Sequence, residues 1–224
     1  MKFHKTFSGL LSVLFLLTAA PAFLFAQDNL QLKTGVIKQI TKKGRLTKMT
    51  IEDDQGGEYE ISLTPKVDFQ ILAPADKGFI GKGQFIQGQG VMTNQRIYLS
   101  KVIIHLAAPG KKNSKRGGIQ KLPVKAGQSQ NAYMVAGTIT ANQADEDYPD
   151  YELVALREAS RGPFLMLEKN VKITVSTTDT SILPENAKIR MQVVPLRSGK
   201  FTLKKATITL TTPLKSEELL PKKK

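Results

Sequence analysis

The sequence predicts an all-β protein: two tandem small β-barrels of five or six strands each, behind an N-terminal signal helix. Three observations carry this. Apolar and polar residues alternate in short runs, the period that turns one face of a strand to a core and the other to water. Beyond the first 26 residues no long run keeps a helical spacing, and only "SEELLPKKK" (216–224) suits a turn or two of helix. The stretch "RIYLSKVIIHL" (96–106) also returns as "KFTLKKATITL" (200–210), with the same break in its rhythm.

That break is informative. Ile97 and Leu99 alternate, then the apolar phase skips to Val102, Ile104 and Leu106. Phe201 and Leu203 alternate, then skip to Ala206, Ile208 and Leu210. Side chains on a strand repeat every second residue, so a three-residue step flips the face or inserts a bulge. Both stretches step at "SK" and "KK". The match runs upstream without a gap, 83–106 against 187–210, with a hairpin turn at "TNQR" and "RSGK". Farther back "VDFQIL" (67–72) resembles "VKITVS" (171–176), and "TGVIKQIT" (34–41) resembles "AGTITANQ" (136–143). A repeat of this kind divides the chain into units 33–106 and 131–212. Strands at this spacing in about 70 residues make a small closed or nearly closed barrel.

The segments follow in order. Lys2, His4 and Lys5 precede an uncharged apolar run from Phe7 to Ala26, broken by Pro21, so residues 1–26 read as a signal peptide cut after Ala26. A retained membrane anchor is the other reading, because the run is long enough to span. In the first unit Tyr59, Ile61 and Leu63 alternate after the turn "DDQGG", and Leu46, Met49 and Ile51 form a rougher strand. Gly88 and Gly90 read as strand glycines at a tight barrel bend. Residues 107–130 are rich in Gly, Ser, Pro and Lys and read as a basic flexible linker. "YELVALRE" and "PFLMLE" supply strands of the second unit, and 213–224 form a basic tail.

Each unit resembles the small OB-like barrel domains of unknown function found in exported bacterial proteins. Gly35-Val36-Ile37, Gly137-Thr138-Ile139 and the two closing hairpins carry that resemblance. It implies a fold rather than an activity, because such barrels host many functions.

Composition narrows the chemistry. The chain has no cysteine, which excludes disulfides, thiolate catalysis, cysteine zinc sites and a lipid-modified cysteine at the cleavage point. Past residue 26 the only histidine is His105, expected to face solvent or the barrel rim because Ile104 and Leu106 claim the core phase. A Ser-His-Asp arrangement is therefore possible on paper and a Cys-His one is not. The glycine-rich "GFIGKGQFIQGQG" (78–90) precedes no helix and has no phosphate-loop pattern.

Three clusters remain. "DEDYPDYE" gathers Asp145, Asp147, Asp150 and Glu152, hard oxygen ligands suited to calcium, although the EF-hand order is absent and a solvated acidic loop is the plainer reading. The matching loop of the first unit is basic, with Lys42, Lys43 and Arg45, and opposite charges at matched positions suggest docking between units or between chains. Lys111, Lys112, Lys115, Arg116, Lys121 and Lys125, together with Lys222, Lys223 and Lys224, suit an anionic surface, each worth about 1 kcal/mol near lipid headgroups. Mutual repulsion in a solvated spacer explains them equally well.

Nucleic-acid binding needs exposed rings for bases to stack on. Ten aromatics remain past residue 26, and Tyr59, Phe69, Phe85 and Phe201 stand in core phase, which argues against it. The expectation is an exported, non-catalytic binding or scaffolding protein of the bacterial envelope. Its partner would be an anionic envelope component or another envelope protein, and membrane contact would be limited to the signal segment or loose electrostatics. The alternatives are a metal-dependent enzyme using loop 145–152, with calcium its one suggested cofactor, and polyanion or nucleic-acid binding through an OB-like face.

Overall fold

The computed structural model describes residues 30–44, 46–107, 115–123, 129–159, 162–184, 186–196 and 201–220. Residues 1–26, read from the sequence as a signal peptide, and Arg45, Lys111, Lys112, Lys125, Lys222, Lys223 and Lys224 lie outside them.

The described chain is all-β. Its strands are β1 (Gln31–Lys43), β2 (Leu46–Asp53), β3 (Glu58–Leu63), β4 (Asp68–Ala75), β5 (Phe85–Thr93), β6 (Arg96–His105), β7 (Gly118–Lys121), β8 (Ala132–Ala144), β9 (Tyr151–Leu156), β10 (Phe164–Thr177), β11 (Lys188–Pro195) and β12 (Phe201–Thr209). One four-residue helix, α1 (Ser216–Leu219), ends the described chain where the sequence allowed a turn or two. It is tied down by Asp76, whose carboxylate accepts from Ser216 N at 2.9 Å.

Five strands close a barrel. β8 pairs with β9, β9 with β10, β10 in parallel with β6, β6 with β5, and β5 again with β8. Ile86, Ile97, Leu99, Ile104, Val154 and Leu165 are among the side chains that fill it. Outside the ring, β7 lies on β8, while β4 lies on β10 and leads through β12, β11, β1 and β2 to β3. Those six strands curl about a second core that includes Met49, Ile51, Ile71, Met191 and Ile208. Among the described residues no strand pairing closes this second lobe. β3 pairs with β2, and its ring Tyr59 meets Phe201 of β12 edge to face at 5.2 Å.

The pairings correct the expectation that stretches 33–106 and 131–212 each close on themselves. Hairpin β5–β6 of the first stretch closes on β8 and β10, and hairpin β11–β12 of the second closes on β1 and β4. Alternation in the sequence says which residues face a core. It does not say which sheet edge they reach.

The registers recur along the chain. β10 meets β6 with Lys172 opposite Lys101 and Val175 opposite Ile104; β4 meets β12 with Asp68 opposite Lys205 and Ile71 opposite Ile208. β4 and β10 run antiparallel and pair Leu72 with Ser176, the equivalent positions of "VDFQIL" and "VKITVS", so a local two-fold passes through that pair. The phase skips are bulges: the β5–β6 register shifts between Gly88 and Val91, and that of β11–β12 between Gln192 and Val193. Each leaves one extra residue on the strand carrying "SK" or "KK", so the inward side chains stay inward. The ungapped alignment is off by one upstream of the turns. Ile86 pairs with Ile104 and Gly137, as Ile189 does with Ile208 and Gly35. The first turn is a tight one through Asn94 and Gln95, at φ 49° and 57°.

The linker expectation also changes. Gly118–Lys121 forms β7 on the edge of β8 that β9 does not reach, and Ile119 packs against the closed-barrel core. An exposed backbone edge beside a core is satisfied by the nearest extended segment, whatever its charge. Gly90 sits where β5 crosses the β6 bulge; a Cβ there would stand 2.2 Å from the Tyr98 carbonyl oxygen.

Candidate functional site

The acidic loop does not build a metal site. Among the described residues no three Asp, Glu or His side chains gather in a group able to hold an ion. Asp145 folds back on its own loop, where Oδ1 accepts from Asp147 N at 3.0 Å and Tyr148 N at 3.2 Å. Its Oδ2 accepts from Arg96 Nη1 at 3.2 Å, with the carboxylate 7% exposed. Glu152 pairs with Lys77 at 2.9 Å, and the Asp150 carbonyl accepts from Lys169 N. Two of the four carboxylates are thus taken up separately, Asp145 by Arg96 and backbone amides and Glu152 by Lys77. This arrangement suits the solvated acidic loop better than a calcium site.

Within the chain, the described residues of the basic loop do not meet the acidic one. The acidic loop is met by Lys77 and Arg96. The hydrogen bond from Ser181 N holds the Asp179 carboxyl below its ordinary value against an opposing effect of burial, with smaller help from the Ser181 hydroxyl and then from Lys42. Lys43 is exposed on the end of β1. Of the basic segment, Lys115, Arg116 and Lys121 are described and all three side chains are exposed, Lys121 on β7.

His105 does not face solvent. Its ring is buried, packs on Phe85 at 5.9 Å, and binds Gln87 Oε1 through Nε2 at 2.9 Å. An amide oxygen only accepts, so Nε2 carries the proton. Burial, then nearby Lys115, pulls the imidazole down to about 4, and it is neutral near pH 7. The bulge on β6 and the strands on both its sides remove the open rim that alternation implied. Nε2, the nitrogen that would face the serine in a Ser-His-Asp arrangement, is taken up here by the Gln87 amide.

The surface best built for a ligand is the outer face of the closed barrel. Ile97, Leu99, Val154, Leu156, Leu165 and Leu167 point inward, which turns Arg96, Tyr98, Tyr151, Leu153, Phe164 and Met166 outward. Met166 lies beside Tyr98 and Leu153 in register and is fully buried despite facing out, so an outer apolar layer covers it. Tyr98 and Tyr151 pack edge to face at 5.2 Å within that layer. At its rim Tyr148 is 43% exposed and Phe164 is 48% exposed. The Arg96 guanidinium rests 4.6 Å over the Tyr148 ring while bonded to Asp145, which fixes the loop on the barrel. Phe164 continues into a groove of about 330 Å³ lined also by Thr140, Ala155, Arg157 and Pro163.

Two flat apolar surfaces edged by a guanidinium and exposed carboxylates can stack a ring and hydrogen-bond its substituents. Sequence reasoning missed this platform. Its signal was Phe164 standing out of phase with Leu165 and Leu167, and Tyr98 out of phase with Ile97 and Leu99.

Elsewhere, the Tyr59 hydroxyl is buried without a hydrogen-bond partner, and burial, then Asp53 and Asp54, push its pKa up to about 12. No protein-family model, curated protein or solved structure matches the chain.

Proposed function

We propose that the chain is an exported, non-catalytic binding protein of the bacterial envelope that holds a carbohydrate chain on the outer face of its closed barrel. One observation carries the reading: Tyr148 and Phe164 stay about half exposed beside aromatics that are already packed. A pyranose offers an apolar C–H face to such a ring and hydroxyls to the carboxylates and guanidinium around it. A phosphate backbone would meet Asp145, Glu146, Asp147 and Asp150 at the same rim, so like charge works against nucleic acid there. Export rests on the leader-like residues 1–26.

The OB-like reading has support in the strand order. In such five-stranded Greek-key barrels ligands cross strands two and three and the loops joining strands one to two and four to five. Taken as β8, β9, β10, β5 and β6, those parts are β9–β10, the acidic loop and the Asn94–Gln95 turn, which border the platform. The recurring registers support two copies of one unit with their closing hairpins exchanged. Tandem barrels are then read as two lobes that each borrow a hairpin.

Co-sedimentation of the purified protein with insoluble cell-wall glycan tests the reading. Retention should survive about 1 M salt, because stacking is not screened. The double variant Tyr148→Ala, Phe164→Ala should weaken it about tenfold or more, at about 1 kcal/mol per ring. Retention that vanishes with salt, and with the linker lysines changed to glutamine, would favour the polyanion reading through Lys115, Arg116 and Lys121. Failure to bind any wall glycan rejects the proposal.

A further inference from the structure

A second cleft, of about 230 Å³, lies where the two lobes meet, lined by Asp68, Gln70, His105, Lys115, Ser176 and Thr177 among others. The three buried polar side chains among the described residues, His105, Ser176 and Thr177, all line it, at 9%, 8% and 5% exposure. Thr177 Oγ1 accepts from Asp179 N at 3.2 Å, and His105 is engaged with Gln87. The Ser176 side chain borders the open cleft.

The local two-fold supplies an internal control. It carries Ser176 onto Leu72, Thr177 onto Ala73, Thr178 onto Pro74 and His105 onto Thr209. The backbone is the same on both sides: Leu106 N donates to the Ser176 carbonyl at 2.9 Å, and Leu210 N to the Leu72 carbonyl at 2.8 Å. On the mate side this strand end is therefore built from Leu, Ala and Pro. The fold does not require hydroxyls here, and burying polar groups without full pairing is unfavourable. Their concentration on one side of the two-fold asks for a ligand.

We infer that the cleft binds one uncharged, hydroxyl-rich group of about the size of a single sugar residue, held by Ser176, Thr177, Thr178 and Gln70. Hydroxyls and an amide donate and accept in turn, matching a ligand that does the same. Asp68 in the lining is matched by Lys205 at 3.1 Å, the imidazole beside the cleft is neutral, and Lys115, which also lines the cleft, is exposed to solvent. Phe69 and Leu106 in the lining give the group an apolar wall. This inference stands apart from the platform of Tyr148 and Phe164, which lies toward the other end of β6 and β10.

Backbone amide shifts of the intact protein, read by NMR during titration, test it. The probes are methyl β-glucoside, methyl N-acetyl-β-glucosaminide, a four-residue oligomer of the latter, and inorganic phosphate. An uncharged glycoside should shift Leu106, Ser176, Thr177 and Thr178 with a Kd of about 1 mM or tighter. The variant Ser176→Ala, Thr177→Ala should weaken this about tenfold and still fold, because the mate side carries Ala73 at the equivalent position. Tighter binding of the oligomer at these amides identifies a polymer end as the source, and equal binding identifies the free sugar. Shifts confined to Tyr148 and Phe164, a response to phosphate alone, or shifts unchanged in the variant would each overturn the inference, whatever the fate of the platform.

Discussion

Replacing Leu99 by alanine tests which lobe the first hairpin completes. Leu99 lies on β6, in the first half of the sequence, and is fully buried in the closed barrel beside residues of the second half. The change removes three carbons, about 2.4 kcal/mol of transfer at about 0.8 kcal/mol each. Incomplete collapse of the cavity brings the expected loss to about 3–4 kcal/mol. For a chain of this size that lowers Tm by about 10 °C. Hydrogen exchange read peptide by peptide locates the damage. Amides of β8, β9 and β10 should exchange faster, at least as much as those of β1 and β2. The mirror change, Ile208→Ala on β12, should reverse that order, because Ile208 fills the other lobe. Unaltered exchange in β8 and β9 after Leu99→Ala would refute the exchange of hairpins and restore two independent units.

Three further outcomes are expected. His105 has a folded pKa of about 4, below its ordinary 6.5, so the unfolded chain takes up that proton first as pH falls. Stability should therefore decline between about pH 6.5 and 4, and His105→Gln should flatten that limb in a urea series. Asp76 and Asp179 sit below their ordinary value of 3.8 and act only under that pH, so they leave the limb untouched. Gly90→Ala should destabilise by more than about 1 kcal/mol, because the new methyl meets backbone, whereas Gly118→Ala, with open space around it, should stay within about 0.5 kcal/mol in the same melts. Asp76→Ala removes acceptors for Ser216 N and Gly78 N, so α1 should lose exchange protection at a cost of about 1 kcal/mol.

The sequence on its own determined the all-β class, the inward residues and the two places where the rhythm breaks, which the structure resolves as bulges. Each follows from the period-two rhythm of Ile97–Leu106 and Phe201–Leu210, which backbone geometry converts directly into faces. It also indicated a turn at Asn94–Gln95 and the strand glycines at 88 and 90. It misjudged the burial of His105 and the partner of each hairpin, and left open what Asp145 and Glu152 would meet. Those depend on what arrives from elsewhere in the chain: Gln87 on His105, Arg96 on Asp145, Lys77 on Glu152, and β10 beside β6. Alternation fixes the direction of a side chain relative to its own strand. Only the tertiary pairing decides which other residues stand there to meet it, and both the platform and the seam cleft are made of such meetings.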